Sequence, residues 1–188
     1  MPVFFNNPKK QRIFTIVIFF ILSIVATTIG VLTPLSTQEV ADKNNAISGT
    51  RQQLLNTDTI RRTASIFQNN FLICLIMFIP VFGIMIGSIV LFSTGSVIRA
   101  EIIATYGNSV PPILGFISIF IFPYAWLEFI SYSTALSETF WLFRRGLQGR
   151  WAREIINLGK LVLITAVLLA TAAFMEAVIL GLLSYHVS

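Results

Sequence analysis

The sequence predicts an all-α, polytopic membrane protein with about four to five transmembrane helices. Of its 188 residues, 55% are hydrophobic and only 11% are charged, whereas soluble domains carry about 25% charged residues. Long uncharged stretches occur at residues 13–38, 71–98, 102–127 and 161–175. As helices, the first three can cross a hydrocarbon core about 30 Å thick, and the last is extended past Glu176. The short alternating segments typical of membrane β-barrels are absent.

The basic residues flank the apolar segments instead of forming one basic surface. Residues 9–12 carry one such cluster, and residues 144–160 carry another. This distribution follows the positive-inside rule, so residues 1–12 are expected to be cytoplasmic in a multi-pass protein of the plasma membrane. The expected partners are the lipid bilayer and other membrane proteins, with no nucleic acid. The orientation would be reversed if the pair Arg61–Arg62 outweighed the N-terminal cluster.

The first transmembrane helix is predicted at residues 13–32, and residues 33–68 form an extramembrane loop. Its apolar core of about twenty residues is longer than that of a usual signal peptide, and no small-residue cleavage site follows. The helix is therefore expected to be a retained anchor. Within the loop, Asn45–Arg62 can form a short helix. A solvated helix on the membrane surface is favoured, and a dedicated binding element is the alternative.

Residues 69–185 are predicted to form a membrane helical bundle. Its first helix spans residues 71–92, where Gly83 and Gly87 form a small-xxx-small pair that allows another helix to approach closely. The polar stretch Ser93–Ser96 is expected to interrupt the helical pattern.

The last helix is predicted to start between residues 155 and 160 and to end near Tyr185, with His186 outside the cell. Small residues at helical spacing form one stripe along it, which predicts a packing face against another helix. These residues are Ala166, Ala170, Ala173, Ala177 and Gly181.

Residues 113–143 are too long for one upright span, because a continuous helix of that length would measure roughly 46 Å. Pro123 divides the segment into two pieces. If Arg99 and the basic cluster after residue 143 are both cytoplasmic, the segment must enter the membrane and return. Two half-helices or a re-entrant hairpin near Pro123 are therefore favoured, and one long tilted helix is the alternative.

Three carboxylates lie within the predicted membrane segments, where charged groups are costly and usually functional. They are Glu128, Glu138 and Glu176. Helical spacing places Tyr124 on the face of Glu128, whereas Glu138 lies on a neighbouring face, with a basic residue after position 143 within reach. One interpretation is an ion path or a polar substrate groove. The other, favoured because no buried Arg or Lys is expected to match them, is that they hold the bundle together.

Residue types that catalysis or metal binding requires are scarce. The chain has one histidine, His186, and one cysteine, Cys74, whereas metal sites draw on clustered His, Cys and carboxylate side chains. No P-loop, dinucleotide-binding fingerprint or nucleophile elbow is present. We expect no catalytic residue, no cofactor and no metal, and therefore a protein that is not an enzyme.

Residues 66–184 contain four motifs that resemble those of a known family. They are Asn69–Asn70 with Gly83 and Gly87, the segment around Gly95, Phe122-Pro-Tyr-Ala-Trp-Leu-Glu128-Phe, and Ala172-Ala-Phe-Met-Glu176-Ala. On these motifs the segment resembles the stage II sporulation protein M family of membrane proteins. The family usually has Pro-His-Gly-x-x-Glu in the third motif, so Tyr124 replaces a histidine and Ala125 replaces a glycine. A role that needs an imidazole at position 124 cannot operate here.

The resemblance implies a non-enzymatic membrane protein that acts through partners, as family members in spore formers assemble with cell-wall hydrolases. It raises Glu128 and Glu176 above Glu138 as candidate site residues. The sequence thus predicts a scaffold or accessory subunit of a larger membrane complex. The alternative is a permease-like or channel-like component, alone or paired with an ATPase, in which Pro123 and Glu128 line a broken-helix site. A membrane-embedded enzyme is the third interpretation.

Overall fold

Seven α-helices make up the described part of the chain. The computed structural model describes residues 8–107, 109–149 and 151–185. Within these ranges there is no strand, which confirms the predicted all-α class. Residues 1–7 and His186, which were assigned to the two sides of the membrane, lie outside the described residues. The helices are α1 (Pro8–Leu32), α2 (Thr37–Leu55), α3 (Thr59–Met77), α4 (Phe82–Tyr106), α5 (Pro112–Ile119), α6 (Pro123–Gly146) and α7 (Trp151–Tyr185).

The bundle has the length and surface of a membrane protein. Among the described helices, α1, α4 and α7 each contain a segment long and apolar enough to cross a membrane, and the α5–α6 pair adds a fourth if it counts as one span. Large apolar side chains on these helices are exposed, with Leu163 at 66% and Leu182 at 62%. Extensive apolar surface of this kind is rare on water-soluble monomers.

The predicted helix over residues 71–92 is wrong, because the chain breaks around Pro80. α3 ends at Met77 and α4 begins at Phe82. Proline has no N–H to donate to a helix, and its ring disfavours a helical conformation in the preceding residue. Val81 then adopts a positive φ of 71°. The chain turns here, so α3 and α4 are two separate helices.

The predicted interruption at Ser93–Ser96 is also wrong, because α4 continues to Tyr106. The hydroxyls of Thr94 and Ser96 donate to carbonyls four residues earlier, at 2.9 and 3.2 Å. Their polar groups are thus satisfied by their own helix. Gly95 is buried in the same turn, so the turn is specialised for packing and does not end the helix.

The predicted helix over Asn45–Arg62 is replaced by α2 and the start of α3. Ser36 caps α2 by accepting from the Glu39 N–H at 3.3 Å, and the Glu39 carboxylate accepts from the Ser36 N–H at 2.8 Å. This reciprocal pair is a capping box. Asp58 caps α3 by accepting from the Arg61 N–H at 3.0 Å. The two caps divide the segment into two helices.

α5 and α6 meet at 87°, which excludes one continuous helix over residues 113–143. Pro123 occupies the first turn of α6, where the missing proline N–H has no helical partner to lose. The Trp126 Nε1–H donates to the Phe120 carbonyl at 2.8 Å. This bond satisfies a backbone acceptor close to the break.

Arg99 and the basic residues after position 143 lie at opposite ends of the bundle, contrary to the expectation that they share one side. Arg99 donates to the Val31 carbonyl at the C-terminal end of α1, at 2.9 Å. Arg145 contacts Glu154, which also contacts Arg12 near the start of α1. The α5–α6 segment therefore runs from one end of the bundle to the other and does not return to the end from which it starts.

Ionic contacts mark the two ends of the bundle. Arg12 contacts Glu138 and Glu154 at one of them, which we call the Arg12 end. Arg51 pairs with Glu101 at the other, the Arg51 end. Between the ends, α1 packs against α4 and α6, and α7 packs against α3 and α6.

The small residues of α7 divide between the interior and the surface. α7 begins at Trp151, earlier than predicted. Ala173 and Ala177 are fully buried in a cluster with Ile66 of α3, whereas Ala170 is exposed. Only part of the predicted stripe is therefore a helix contact within the chain.

Candidate functional site

The polar face of α6 is bound to α3. Glu128 Oε1 accepts from Asn70 Nδ2 at 2.6 Å. Further along the same face, the Thr139 hydroxyl donates to the Met77 carbonyl at 2.5 Å, at the end of α3. The face of α6 that carries Glu128 therefore forms the contact between α6 and α3.

Glu176 of α7 lines a cavity of about 450 Å³ at the Arg51 end. Residues of α2 and α4 complete its walls, including Arg51 and Glu101. The side chains of Arg51 and Glu101 are 49% and 31% exposed. The cavity therefore opens at the surface of the bundle. Two carboxylates and one guanidinium line its polar part.

Glu128 and Glu176 belong to one electrostatic cluster, although they lie on different helices. Their carboxyl groups interact electrostatically, and the Tyr124 phenol interacts with both. Pro123 starts α6 beside this tyrosine and is itself exposed. Within this group, Arg51 pairs with Glu101, and Glu128 accepts from Asn70. We call the group the acidic cluster: Glu101, Glu128, Glu176, Tyr124 and Arg51.

Glu138 belongs to a second group of charges, at the Arg12 end. Its side chain is only 2% exposed, and its Oε2 accepts from Arg12 Nη1 at 2.6 Å. Arg12 also contacts Glu154, which Arg145 contacts in turn. The expected hydrogen-bond donor, a basic residue after position 143, is thus replaced by Arg12. We call these four residues the ion cluster, and it joins α1, α6 and α7.

Arg62 is a buried basic residue that binds backbone carbonyls. The expectation that no basic residue matches the membrane glutamates fails at Glu138, which Arg12 contacts. Arg62 is only 4% exposed. Its guanidinium donates to the carbonyls of Leu54 at 2.9 Å, Thr57 at 3.0 Å and Ala177 at 3.0 Å. Carbonyls at the C-terminal end of a helix lack intrahelical hydrogen-bond donors. Arg62 supplies such donors at the end of α2, and its bond to Ala177 holds that segment to α7.

The predicted glycines lie where helices meet. A Cβ on Gly83, Gly87 or Gly95 would lie 2.1, 2.6 or 2.0 Å from an atom of a neighbouring helix. Gly30 of α1, which sequence reasoning missed, faces Gly95, and a Cβ there would lie 2.0 Å from the Phe92 carbonyl oxygen. The glycines therefore set the spacing between helices and supply no group to the acidic cluster.

Sequence reasoning also missed the partners of the carboxylates. Arg12 and Glu154 are 142 residues apart, and Arg51 and Glu101 are 50 residues apart. No local pattern connects positions at such separations. The one usable signal was the presence of a charged residue beside an uncharged stretch, as at Glu101.

The carboxylates do not converge as metal ligands. Over the described ranges, no group of three or more His, Cys, Asp and Glu side chains is placed to hold a metal ion.

No protein-family model, curated protein or solved structure matches the chain. The function must therefore be inferred from the contacts that its own residues make.

Replacing Arg51 with alanine should loosen α2 without unfolding the bundle. A partly exposed ion pair contributes about 0.5–1 kcal/mol, so amide hydrogen exchange in α2 should become about 2- to 5-fold faster. Exchange in α7 should stay unchanged. Asp42→Asn, at an exposed position of α2 outside the cavity, is the matched control. Equal acceleration in both variants would show that the Arg51–Glu101 pair does not hold α2.

Proposed function

We propose that this protein is a non-enzymatic scaffold or accessory subunit of a larger complex in the plasma membrane. The observation that carries this proposal is the ion cluster. Arg12 binds both Glu138 and Glu154 and so fixes α1, α6 and α7 together. Charges used in this way stabilise a fixed shape and are not available for chemistry on a substrate.

α2 supplies a surface that suits a partner outside the hydrocarbon core. It is 19 residues long, none of them is buried, and its start is fixed by the Ser36–Glu39 capping box. One side of α2 packs against α4, and Ile47 and Leu54 on it line the cavity, so its other side is the surface that remains open to a partner. Arg51 places α2 beside the acidic cluster, whose excess of carboxyl groups favours a basic segment of the partner.

The resemblance to the stage II sporulation protein M family supports the same proposal. The two glutamates that match its motifs, Glu128 and Glu176, both belong to the acidic cluster. That family acts through partner proteins, which is the role proposed here.

Transport is the second candidate, and the broken span favours it. The 87° bend between α5 and α6 lies just before Glu128 in the chain. Glu176 lines the cavity at the Arg51 end and interacts electrostatically with Glu128. Discontinuous helices form the solute sites of many transporters. In this case the chain would be a permease-like or channel-like component, working with an ATPase.

The protein extracted from its own membrane in mild detergent should be retained in a complex with other polypeptides, as measured by native mass spectrometry. Replacing Glu176 with glutamine removes a carboxyl group from the acidic cluster, so we expect the partner to bind roughly 10-fold more weakly, equivalent to about 1.4 kcal/mol. Asp42→Asn should leave binding unchanged. Recovery of a lone monomer at all detergent concentrations would contradict the proposal.

A flux measurement separates the two candidates. Purified protein in liposomes should conduct neither protons nor polar solutes. Glu128→Gln retains an acceptor for the Asn70 amide, so this variant should fold and removes only the ionisable group. Flux in the unmodified protein that Glu128→Gln abolishes would replace the scaffold with a transporter.

A further inference from the structure

One face of α3 is polar where it is exposed. Ser65, Gln68 and Asn69 are exposed on successive turns of the helix, and Leu72, at 52% exposure, continues the same face towards the Arg12 end. We call these four residues the amide face. On α1, by contrast, every exposed residue over the range 13–32 is apolar, as expected where a helix faces lipid. The exposed side of α3 is therefore not an ordinary lipid-facing surface.

The polar residues of the amide face lie near the middle of the bundle's height. The carbonyl of Met77, the last residue of α3, accepts from the Thr139 hydroxyl. Arg12 contacts Glu138, the neighbour of Thr139 in the chain, so Met77 lies level with the Arg12 end. The helix rises roughly 14 Å between Gln68 and Met77, which is about half of a hydrocarbon core about 30 Å thick. The amide of Gln68 is thus exposed at a depth where lipid offers no hydrogen-bond partner.

The amide groups of this face retain hydrogen-bonding capacity. Gln68 makes no hydrogen bond to any described residue, and Asn69 makes one, from its Nδ2 to the Asn70 Oδ1 at 3.4 Å. Each side-chain amide carries two N–H donors and one carbonyl acceptor. Polar groups left without partners in an apolar environment cost free energy. The amide face therefore requires a polar surface against it at the same depth.

We propose that the amide face packs against the same face of a second copy of this chain, with the two Gln68 amides bonded to each other. Two copies inserted in one orientation place identical residues at identical depth about a two-fold axis. An amide is both donor and acceptor, so the pair is self-complementary. Ser65 is small and lets the two helices approach closely. Arg61, at the outer end of α3, is paired with Asp58 at 3.4 Å, so two uncompensated cations do not meet.

Other coverings satisfy the amide face less well. Lipid acyl chains cover Leu72 and leave the amides without partners. A different polypeptide satisfies the amides only if it carries polar residues at their depth, which a second copy does by symmetry. The inference is independent of the proposed function, because it concerns α3 and not the surface formed by α2 and the acidic cluster. Either contact can fail while the other is present.

Disulfide cross-linking in the membrane tests where the contact lies. Cys74 is replaced with alanine first, because it is the one cysteine of the chain. In that background, Gln68→Cys should form a dimer of this chain on oxidation with copper phenanthroline. Ile21→Cys is the control, since Ile21 is 55% exposed on α1 and lies as far from Arg12 along the helix as Gln68 does from Met77. Equal dimer formation in the two variants, or a cross-link from Gln68→Cys to another polypeptide, would overturn the proposal.

Energy transfer between donor- and acceptor-labelled copies in liposomes, over a range of protein-to-lipid ratios, measures the strength of the contact. Gln68→Leu should weaken the dimer roughly 3- to 20-fold, the range measured for hydrogen bonds between membrane helices. Gln68→Asn keeps an amide and should retain most of the affinity. A monomer at every ratio, or a dimer that Gln68→Leu leaves unchanged, would show that the amides do not join two copies. Unfolding temperatures confirm that each variant measured is folded.

Discussion

Replacing Arg12 with glutamine should destabilise the protein by about 3–5 kcal/mol, the usual cost of removing one member of a buried ion pair. Glu138 and Glu154 both contact Arg12, and the side chain of each is only 2% exposed. Glu154 would keep Arg145 as a partner. Glu138 would lose its Arg12 donor, and over the described ranges its second oxygen already has no hydrogen-bond partner.

Unfolding of the detergent-solubilised protein, followed by tryptophan fluorescence, measures this loss. The double variant Arg12→Gln with Glu138→Gln should be more stable than Arg12→Gln alone, because no uncompensated carboxylate remains. Arg61→Gln removes an arginine from an exposed pair and should change stability by less than about 1 kcal/mol. A loss below about 1 kcal/mol in Arg12→Gln, or additive losses in the double variant, would mean that the ion cluster does not hold the bundle.

Gly95→Ala should destabilise the protein by about 3 kcal/mol or more, at the upper end of what overpacking costs. The new Cβ would lie 2.0 Å from the Thr27 carbonyl oxygen and 2.8 Å from the Val31 nitrogen. Both are backbone atoms of α1 and cannot rotate away, so α1 and α4 must separate. Val31 is fully buried at this contact and would lose its packing.

Gly159→Ala makes the same chemical change where there is space. Gly159 is an exposed position of α7, and a Cβ there would meet no atom within 4 Å. Alanine favours a helix over glycine by roughly 0.5–1 kcal/mol, so this variant should be as stable as the unmodified protein or slightly more so. The same unfolding assay compares the two variants. Equal effects at the two positions would show that α1 and α4 do not cross as closely as the glycines indicate.

The helical class and the break near Pro123 were predictable because their causes are local. Low charge and long apolar stretches require helices in a membrane, and proline lacks a backbone donor wherever it occurs. Pro80 breaks the chain in the same way, although the apolar run over residues 71–92, which was predicted as one helix, continues on both sides of it. At Ser93–Ser96 the error was the opposite one, because an interruption was predicted where the helix continues. Hydroxyl bonds to the preceding turn keep α4 intact there.

The carboxylates of the candidate site were visible in the sequence, but their partners were not. Glu128 and Glu176 stand out because charged residues are rare in apolar segments. Arg51 and Arg12 resemble ordinary basic residues of a loop and of a helix start. Only the packing of α2 on α4, and of α1 on α6, brings them to Glu101 and Glu138.

The ion cluster also imposes an order on the biosynthesis of this protein. Arg12 is separated from Glu138 by 126 residues and from Glu154 by 142 residues. Because chains emerge from the ribosome N-terminus first, α1 enters the membrane long before its two carboxylate partners have been synthesised. Its arginine must remain hydrated at the membrane surface during that interval. Closure of α1 against α6 and α7 is therefore a late step, and a nascent chain that stops before Glu154 cannot complete it.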